Sequence, residues 1–241
     1  MQTKHSLVDL HCHILPGVDD GAADLEVSEA MLRMECAQGI RRIIFTPHFY
    51  PEDMLLEPFL EARRHAFQRI EWQCRNAQID VKLGAEVRMA PELTAETLQQ
   101  LSLGGGPYVL VELPFYGFPL WGDDFVAKMR RCGLAPVFAH VERYEYMLSN
   151  PEQMSAWRSA GALFQINASA LLTSALCRKM KKLIHADLVQ IVASDAHNLT
   201  SRPPRLADAM ACLRSSDRDR LLWNATCIFE GRPIENAETH R

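Results

Sequence analysis

Two short motifs place pairs of metal-ligating side chains two residues apart: His11-Cys12-His13 and Asp195-Ala196-His197. On an extended backbone such residues point to the same side. Other ligand types close further apolar runs: His48 after Thr46-Pro47, Glu86 after Gly84-Ala85, Glu112 after Val111, and His140 after Ala139. A lone histidine or glutamate at a strand end is ordinarily hydrogen-bonded or solvated. Six strand ends aiming ionisable groups at one face would be self-defeating without cations, because buried charge is costly unless paired or metal-bound. Imidazoles and carboxylates without thiolate suit Mn, Fe or Zn, and the ligands outnumber what one ion needs. A hydroxide bridging two such ions would be an activated nucleophile at neutral pH.

Asp19-Asp20-Gly21 follows the first motif closely. Asp-Gly is turn chemistry, and one aspartate can turn the chain while the other ligates. Arg143 stands three residues after His140 and Arg202 five after His197. Guanidinium groups on loops beside such a cluster suit bidentate binding of a phosphate.

These residues need a scaffold that brings strand ends together. Apolar runs at Leu7–Leu10, Arg42–Thr46, Val81–Ala85, Tyr108–Glu112, Ala135–Ala139, Leu163–Ile166 and Leu188–Ala193 read as buried parallel strands. Helical patterns lie between them: Val27 to Met34 ahead of Gly39, Glu57 to Gln78, Asp123 to Arg131, Pro151 to Gly161 behind an Asn150 cap, Leu171 to His185, and Pro203 to Leu213. The alternation predicts an α/β chain, either a barrel or a doubly wound sheet. Both gather chemistry at the C-terminal ends of their strands.

No linker or low-complexity segment divides the 241 residues, so residues 1–241 read as one domain. A net charge of −4 argues against a nucleic-acid partner. No apolar segment is long enough to span a membrane. The seven cysteines, odd in number and without a C-x-x-C pair, suit free thiols in a reducing compartment, and a cytoplasmic location follows by default. Two C-x5-R matches, Cys36 with Arg42 and Cys212 with Arg218, raise the alternative of a cysteine phosphatase. Neither sits between a strand and a helix start, as that phosphate loop requires. The aromatic segment Phe115 to Trp121 follows Glu112 and offers Phe118 or Trp121 as a wall for an aromatic substrate. His5, His65, His185 and His240 have no comparable placement.

The motifs HCHILPGVDDG at 11–21, HVER at 140–143 and ASDAHNLTSRPP at 193–204, with Thr46-Pro47-His48, Glu86 and Glu112, resemble the polymerase-and-histidinol-phosphatase superfamily. Within it they are most similar to the bacterial capsule and exopolysaccharide tyrosine-protein phosphatases. The resemblance runs from about Leu7 to about Met210. It implies a distorted seven-stranded barrel and a manganese-supported site of up to three ions. One ion would take His11, His13, Glu86 and Asp195. A second would share Glu86 with Glu112 and His140, and a third would take Asp20, His48 and His197. Arg143 and Arg202 would bind phosphate. The implied substrate is the phosphotyrosyl tail of an autophosphorylating kinase of polysaccharide export. Histidinol phosphate or another small phosphoester is the alternative. A polymerase-associated exonuclease and a non-catalytic metal-binding partner of a kinase fit less well, the first for want of a basic face, the second because no ligand is missing.

Overall fold

The structure, a computed structural model, describes residues 6–234, so His5 and His240 lie outside it. Strands and helices alternate: β1 (Val8–Cys12), α1 (Leu25–Ala37), β2 (Arg42–Phe45), β3 (His48–Phe49), α2 (Leu56–Asn76), β4 (Asp80–Leu83), β5 (Glu86–Arg88), α3 (Ala95–Gln100), β6 (Tyr108–Glu112), α4 (Gly122–Arg131), β7 (Ala135–Phe138), α5 (Glu145–Leu148), α6 (Pro151–Ser159), β8 (Leu163–Asn167), α7 (Ala168–Leu172), α8 (Ser174–His185), β9 (Ile191–Ala193), α9 (Leu206–Ala211) and α10 (Ser215–Glu230). Every strand pairing is parallel, in the orders β1-β2-β4 and β3-β5-β6-β7-β8-β9.

The second and third expected strands are each bent into two. Pro47, which has no N–H to give a ladder, separates β2 from β3, and Gly84-Ala85 separates β4 from β5. The backbone still bonds across the bends: Gly84 N donates to Phe45 O (2.9 Å) and Glu86 N to Pro47 O (3.0 Å). Beyond the bends His48 pairs with Glu86 in register. At the other edge, Asp195 N donates to His11 O (2.9 Å) and His13 N to Ala196 O (2.8 Å), which ties the segment after β9 to the end of β1. The result is a curled parallel sheet.

One face of this curl changes character along the strands. Tyr108 and Leu110 on β6, and Leu163 on β8, join an apolar cluster with Val8, Leu10, Ile44, Val137 and Ile191. The next residues on the same face are Glu112 on β6, and Gln165 and Asn167 on β8. Ala225, Ile228 and Phe229 of α10 cover this cluster. A larger core lies between the sheet and the other helices. The β1–β2 register shifts between Asp9 and Cys12. That irregularity lets Leu10 pack into the apolar cluster while His11, its neighbour, enters the polar end.

The predicted helix starts hold where a cap is present: Asn150 Oδ1 accepts from Gln153 N (3.1 Å), with Pro151 in the first turn. The expected helix from Leu171 to His185 is instead broken at Thr173 into α7 and α8. Trp157 of α6 joins layers. It is 2% exposed, its ring lies 4.7 Å from Phe138 of β7, and its Nε1 donates to Asp123 Oδ1 at 2.6 Å. Trp157→Ala should therefore lower the unfolding free energy by about 3–5 kcal/mol, read as a drop in urea midpoint. A loss below about 1 kcal/mol would show that this contact is not a keystone of the helical layer.

Candidate metal centre

Every histidine and carboxylate singled out from the sequence for metal binding lies at the C-terminal mouth of the curl. Donor atoms fall into three overlapping sets, each within 4.8 Å: His11, His13, Glu86 and Asp195; His13, Asp20, His48 and His197; and His48, Glu86 and Glu112. Glu86 is central and wholly buried. Its Oε2 lies 3.1 Å from His11 Nε2, 3.2 Å from His13 Nε2 and 3.1 Å from His48 Nδ1, and its Oε1 lies 2.6 Å from His140 Nε2. His140 Nε2 stands 3.8 Å from Glu112 Oε1. Asp20, two-thirds exposed on its loop, reaches His48 and His197 at 3.4 Å each.

The ring orientations are fixed from behind. His11 Nδ1 donates to Gln165 Oε1 (3.2 Å), His13 Nδ1 to Asp19 Oδ2 (2.6 Å), and His197 Nδ1 to Asp195 O (2.9 Å). Each donation leaves the Nε2 lone pair of that ring facing the cluster, the arrangement metal-ligating histidines adopt. His197 Nε2 and Asp195 Oδ1 are buried and have no hydrogen-bond partner among the described residues. Orphaned buried acceptors of this kind are rare, and together with the oxygen- and nitrogen-only donor set they fit divalent cations.

Asp195 couples this cluster to the two arginines. Its Oδ2 accepts from Arg143 Nη2 (2.6 Å), Arg202 Nη2 (2.7 Å) and Asn167 Nδ2 (2.6 Å). Its Oδ1 faces His11 at 3.3 Å. Both guanidinium groups remain about one-third exposed and line a cavity of about 320 Å3 with Ser169, Thr173 and Asn167. Asn198 bends the loop that returns Arg202: its Oδ1 accepts from the N–H groups of Thr200, Ser201 and Arg202 at 2.9–3.0 Å. His140 (φ 34°) and Asp195 (φ 50°) are held in left-handed backbone, a strain that persists only where surroundings enforce it.

Several residues position the ligand candidates, and apart from the Asp19-Asp20-Gly21 turn none was singled out in the sequence. Asp19 turns the chain through Gly21 N (3.0 Å) and also clamps His13. Gly21 is required there, since a Cβ would stand 2.2 Å from His13 O. Gln165 Oε1 also accepts from His140 N (2.8 Å), and Gln165 Nε2 donates to Asn167 Oδ1 (2.9 Å), so β8 braces two ligand candidates and Asp195. This pair stands two residues apart at a strand end, the spacing of the two opening motifs. Asp9 accepts from both Ser194 N and Ser194 Oγ, fixing the turn that carries Asp195. Arg88 lies over the Tyr50 ring at 4.0 Å, and its Nε is 3.4 Å from Glu112.

Phe118 packs at 5.5 Å on Trp157 and Trp121 at 6.0 Å on Phe125, so neither forms the expected aromatic wall. The aromatic ring at the mouth is instead that of half-buried Tyr50, stacked 5.1 Å from His48, while Tyr144, 5.8 Å from His140 and 5.5 Å from Phe115, is buried beneath. The C-x5-R matches are also accounted for. Cys36 is near the end of α1 and Arg42 opens β2, while Cys212 follows α9 and Arg218 lies in α10. No cysteine lines the cavity beside Arg143 and Arg202.

Fold and site together define a class: a parallel α/β protein whose strand ends gather a many-ligand imidazole and carboxylate cluster beside two arginines. The model of the family described as capsular polysaccharide synthesis, CpsB/CapC, matches residues 7–223. Tyrosine-protein phosphatase YwqE of Bacillus subtilis is 32% identical over 240 residues, covering 96% of this chain and 90% of the relative. Tyrosine-protein phosphatase CpsB of Streptococcus agalactiae serotype V is 30% identical, covering 97% of both. Among solved structures, crystal structures of YwqE from Bacillus subtilis and CpsB from Streptococcus pneumoniae, described as unique metal-dependent tyrosine phosphatases, include a chain with a TM-score of 0.84 at 30% identity. It covers 95% of this chain and 96% of that one. The chain belongs to the CpsB/CapC family.

The electrostatics give a test of metal binding. Burial opposes charge on His11 and His13. Against it, Glu86 and Asp195 raise His11, and Asp19 and Glu86 push His13 up to about 10. Burial likewise opposes ionisation of Glu86 and Asp195, yet the imidazoles around them hold both carboxyls well below the usual range. Protons therefore compete with a cation for the Nε2 lone pairs of His11 and His13. A cation needs those lone pairs, so binding must release protons and must weaken as pH falls. Calorimetry of Mn binding in buffers of different ionisation enthalpy should show net proton release, with affinity lower at about pH 6 than at about pH 8. Affinity flat across that interval would contradict the assignment.

Proposed function

We propose that this chain is a metal-dependent protein-tyrosine phosphatase of capsular or exopolysaccharide synthesis. Its substrate in this reading is phosphotyrosine on the tail of an autophosphorylating kinase, and its cofactor is Mn, in up to three ions, with Fe or Zn accepted by the same ligands. The observation that carries the reading is the double role of Asp195, which faces His11 and His13 through one oxygen and holds Arg143 and Arg202 through the other.

In this reading His11, His13, Glu86 and Asp195 hold one ion. Glu86, Glu112 and His140 hold a second, and Asp20, His48 and His197 a third. The donor sets support the first grouping directly; His13 also adjoins the third set and His48 adjoins Glu112. When bound, the ions supply Lewis acidity and lower the pKa of a coordinated water. The chain's own residues do the rest. Arg143 and Arg202 are each anchored through Nη2, which leaves Nη1 and Nε to donate to phosphoryl oxygens. Their positive charge offsets the charge that accumulates there in the transition state. Phenolate is a fair leaving group, so the departing tyrosine needs little acid help. Tyr50, half-buried beside His48, offers an aromatic ring at the mouth for the phenol ring.

We also read the curled sheet as a distorted seven-stranded barrel, with β2–β3 and β4–β5 counted as two bent strands. The bonds from Asp195 and His13 across to β1 and the segment after β9 support closure. One core continuous from Leu7 to Leu221 supports a single phosphatase domain. No helix among the described residues is long and apolar enough to cross a membrane. All seven cysteines are free, which supports a reducing, cytoplasmic compartment.

The test is hydrolysis of a phosphotyrosyl peptide and of histidinol phosphate by the purified chain, before and after chelation and after Mn is returned. The peptide should be the better substrate, with activity lost on chelation and restored by Mn. Arg202→Ala and Arg143→Ala should each lower kcat/KM on the peptide by about a hundredfold. Preference for histidinol phosphate would keep the site and overturn the substrate. Activity that survives chelation and is lost on thiol alkylation would overturn the mechanism.

A further inference from the structure

A second cavity lies on the flank of the molecule, between α8 and the segment that runs from Cys212 into α10. At about 620 Å3 it is roughly twice the size of the mouth cavity. Arg178, Lys181, Lys182, His185 and Arg214 line it, with Asp217 as its single carboxylate. Asp217 is already engaged, accepting from Arg214 Nε (3.1 Å) and Nη2 (2.9 Å) and lying 3.6 Å from His185 Nδ1. Arg178, Lys181 and Lys182 have no ion pair or hydrogen bond among the described residues. Arg178 and Lys182 are exposed and Lys181 half-buried.

Their spacing is not that of a randomly solvated surface. Residues 178, 181, 182 and 185 stand at i, i+3, i+4 and i+7, which makes one stripe along α8. Like charges at those separations repel and destabilise a helix. The negative end of the helix dipole compensates Lys182 and His185 in the last turn, but not Arg178, a turn earlier. In a chain of net charge −4, this stripe is a local positive surface that gains from an anionic occupant.

The stripe continues from the phosphate site. Leu172 and Thr173, which precede α8, line the mouth cavity with Arg143 and Arg202, and Ser174, the first residue of α8, lines the flank cavity. A 12-residue helix runs about 18 Å. An extended peptide covers that length in about five or six residues.

We propose that this cleft docks an acidic peptide segment on the same chain as the scissile phosphotyrosine, within about six residues of it, with its carboxylates or a second phosphate on Arg178, Lys181 and Lys182. The inference rests on the phosphotyrosyl-peptide reading above. It assigns substrate specificity to a surface remote from the metal ligands.

The experiment compares two phosphotyrosyl peptides, identical except for glutamates or glutamines at the flanking positions, on the Mn-loaded full chain and on its Arg178→Gln/Lys181→Gln/Lys182→Gln variant. In the wild type at low salt, the glutamate peptide should show a KM about tenfold lower, an advantage that fades with added salt. The variant should lose that advantage through KM alone, with kcat, the glutamine peptide and p-nitrophenyl phosphate unchanged. Location is read separately. Cys212 lines the cleft and is exposed, whereas Cys132 is exposed elsewhere. A glutamate peptide carrying a non-hydrolysable phosphonate should slow alkylation of Cys212 and not of Cys132. Failure to hydrolyse either peptide would sink the phosphotyrosyl-peptide reading and the docking site with it. Hydrolysis of both with equal KM, or an advantage that the variant keeps, would overturn the docking site alone. Protection of Cys212 by ADP but not by the peptide would assign the cleft to a small anion and overturn it as well.

Discussion

A carboxylate sealed from water and touched by four imidazoles is the constraint around which the rest of this fold is arranged. Glu86 is wholly buried, and His11, His13, His48 and His140 approach it from three different stretches of chain. Such a group is stable only if positive charge stays close. The bends at Pro47 and at Gly84-Ala85 serve this requirement, because they set His48 and Glu86 side by side in the pairing of β3 with β5. The shift of register within β1 serves it too, turning His11 toward Glu86 directly after Leu10 has packed into the apolar cluster.

Positioning is then a matter of what stands behind each ligand candidate. Gln165 and Asn167 form a chain of amides from His11 to Asp195, Asp19 orients His13, and Asp9 with Ser194 fixes the turn that carries Asp195. Asp9 and Glu35 of α1 are both wholly buried, and burial pushes both carboxyls up. Groups that bind phosphate and groups that can bind metal meet on one side chain, Asp195. Displacement of that residue should disturb both functions together.

The strand ends were legible in sequence because the ligands themselves mark them: His11, Glu112 and His140 each close an apolar run, and each lies where its run ends in the fold. The bends within two strands were not legible, since Thr46-Pro47 and Gly84-Ala85 also read as strand ends. α10 escaped because it opens on the charged run Ser215 to Arg220, and its apolar residues Leu221, Ala225 and Ile228 gain their meaning only against the far end of the sheet. The aromatic loop misled for the reverse reason. Phe118 has the chemistry of a substrate wall, but Tyr146 and Trp157, distant in sequence, already occupy its faces. Gln165 and Asn167 carried a readable signal in their spacing, but amides do not announce a metal site as imidazoles do.

The most direct test of the Glu86-centred cluster is elemental analysis of the chain after equilibration with Mn and removal of free ions, beside its Glu86→Gln counterpart. The wild type should retain more than one ion per chain, and the variant, still folded by circular dichroism, should lose most of them, because the amide removes the charge that two donor sets share. A wild type that retains no ion, or a Glu86→Gln chain that retains as many, would contradict the account.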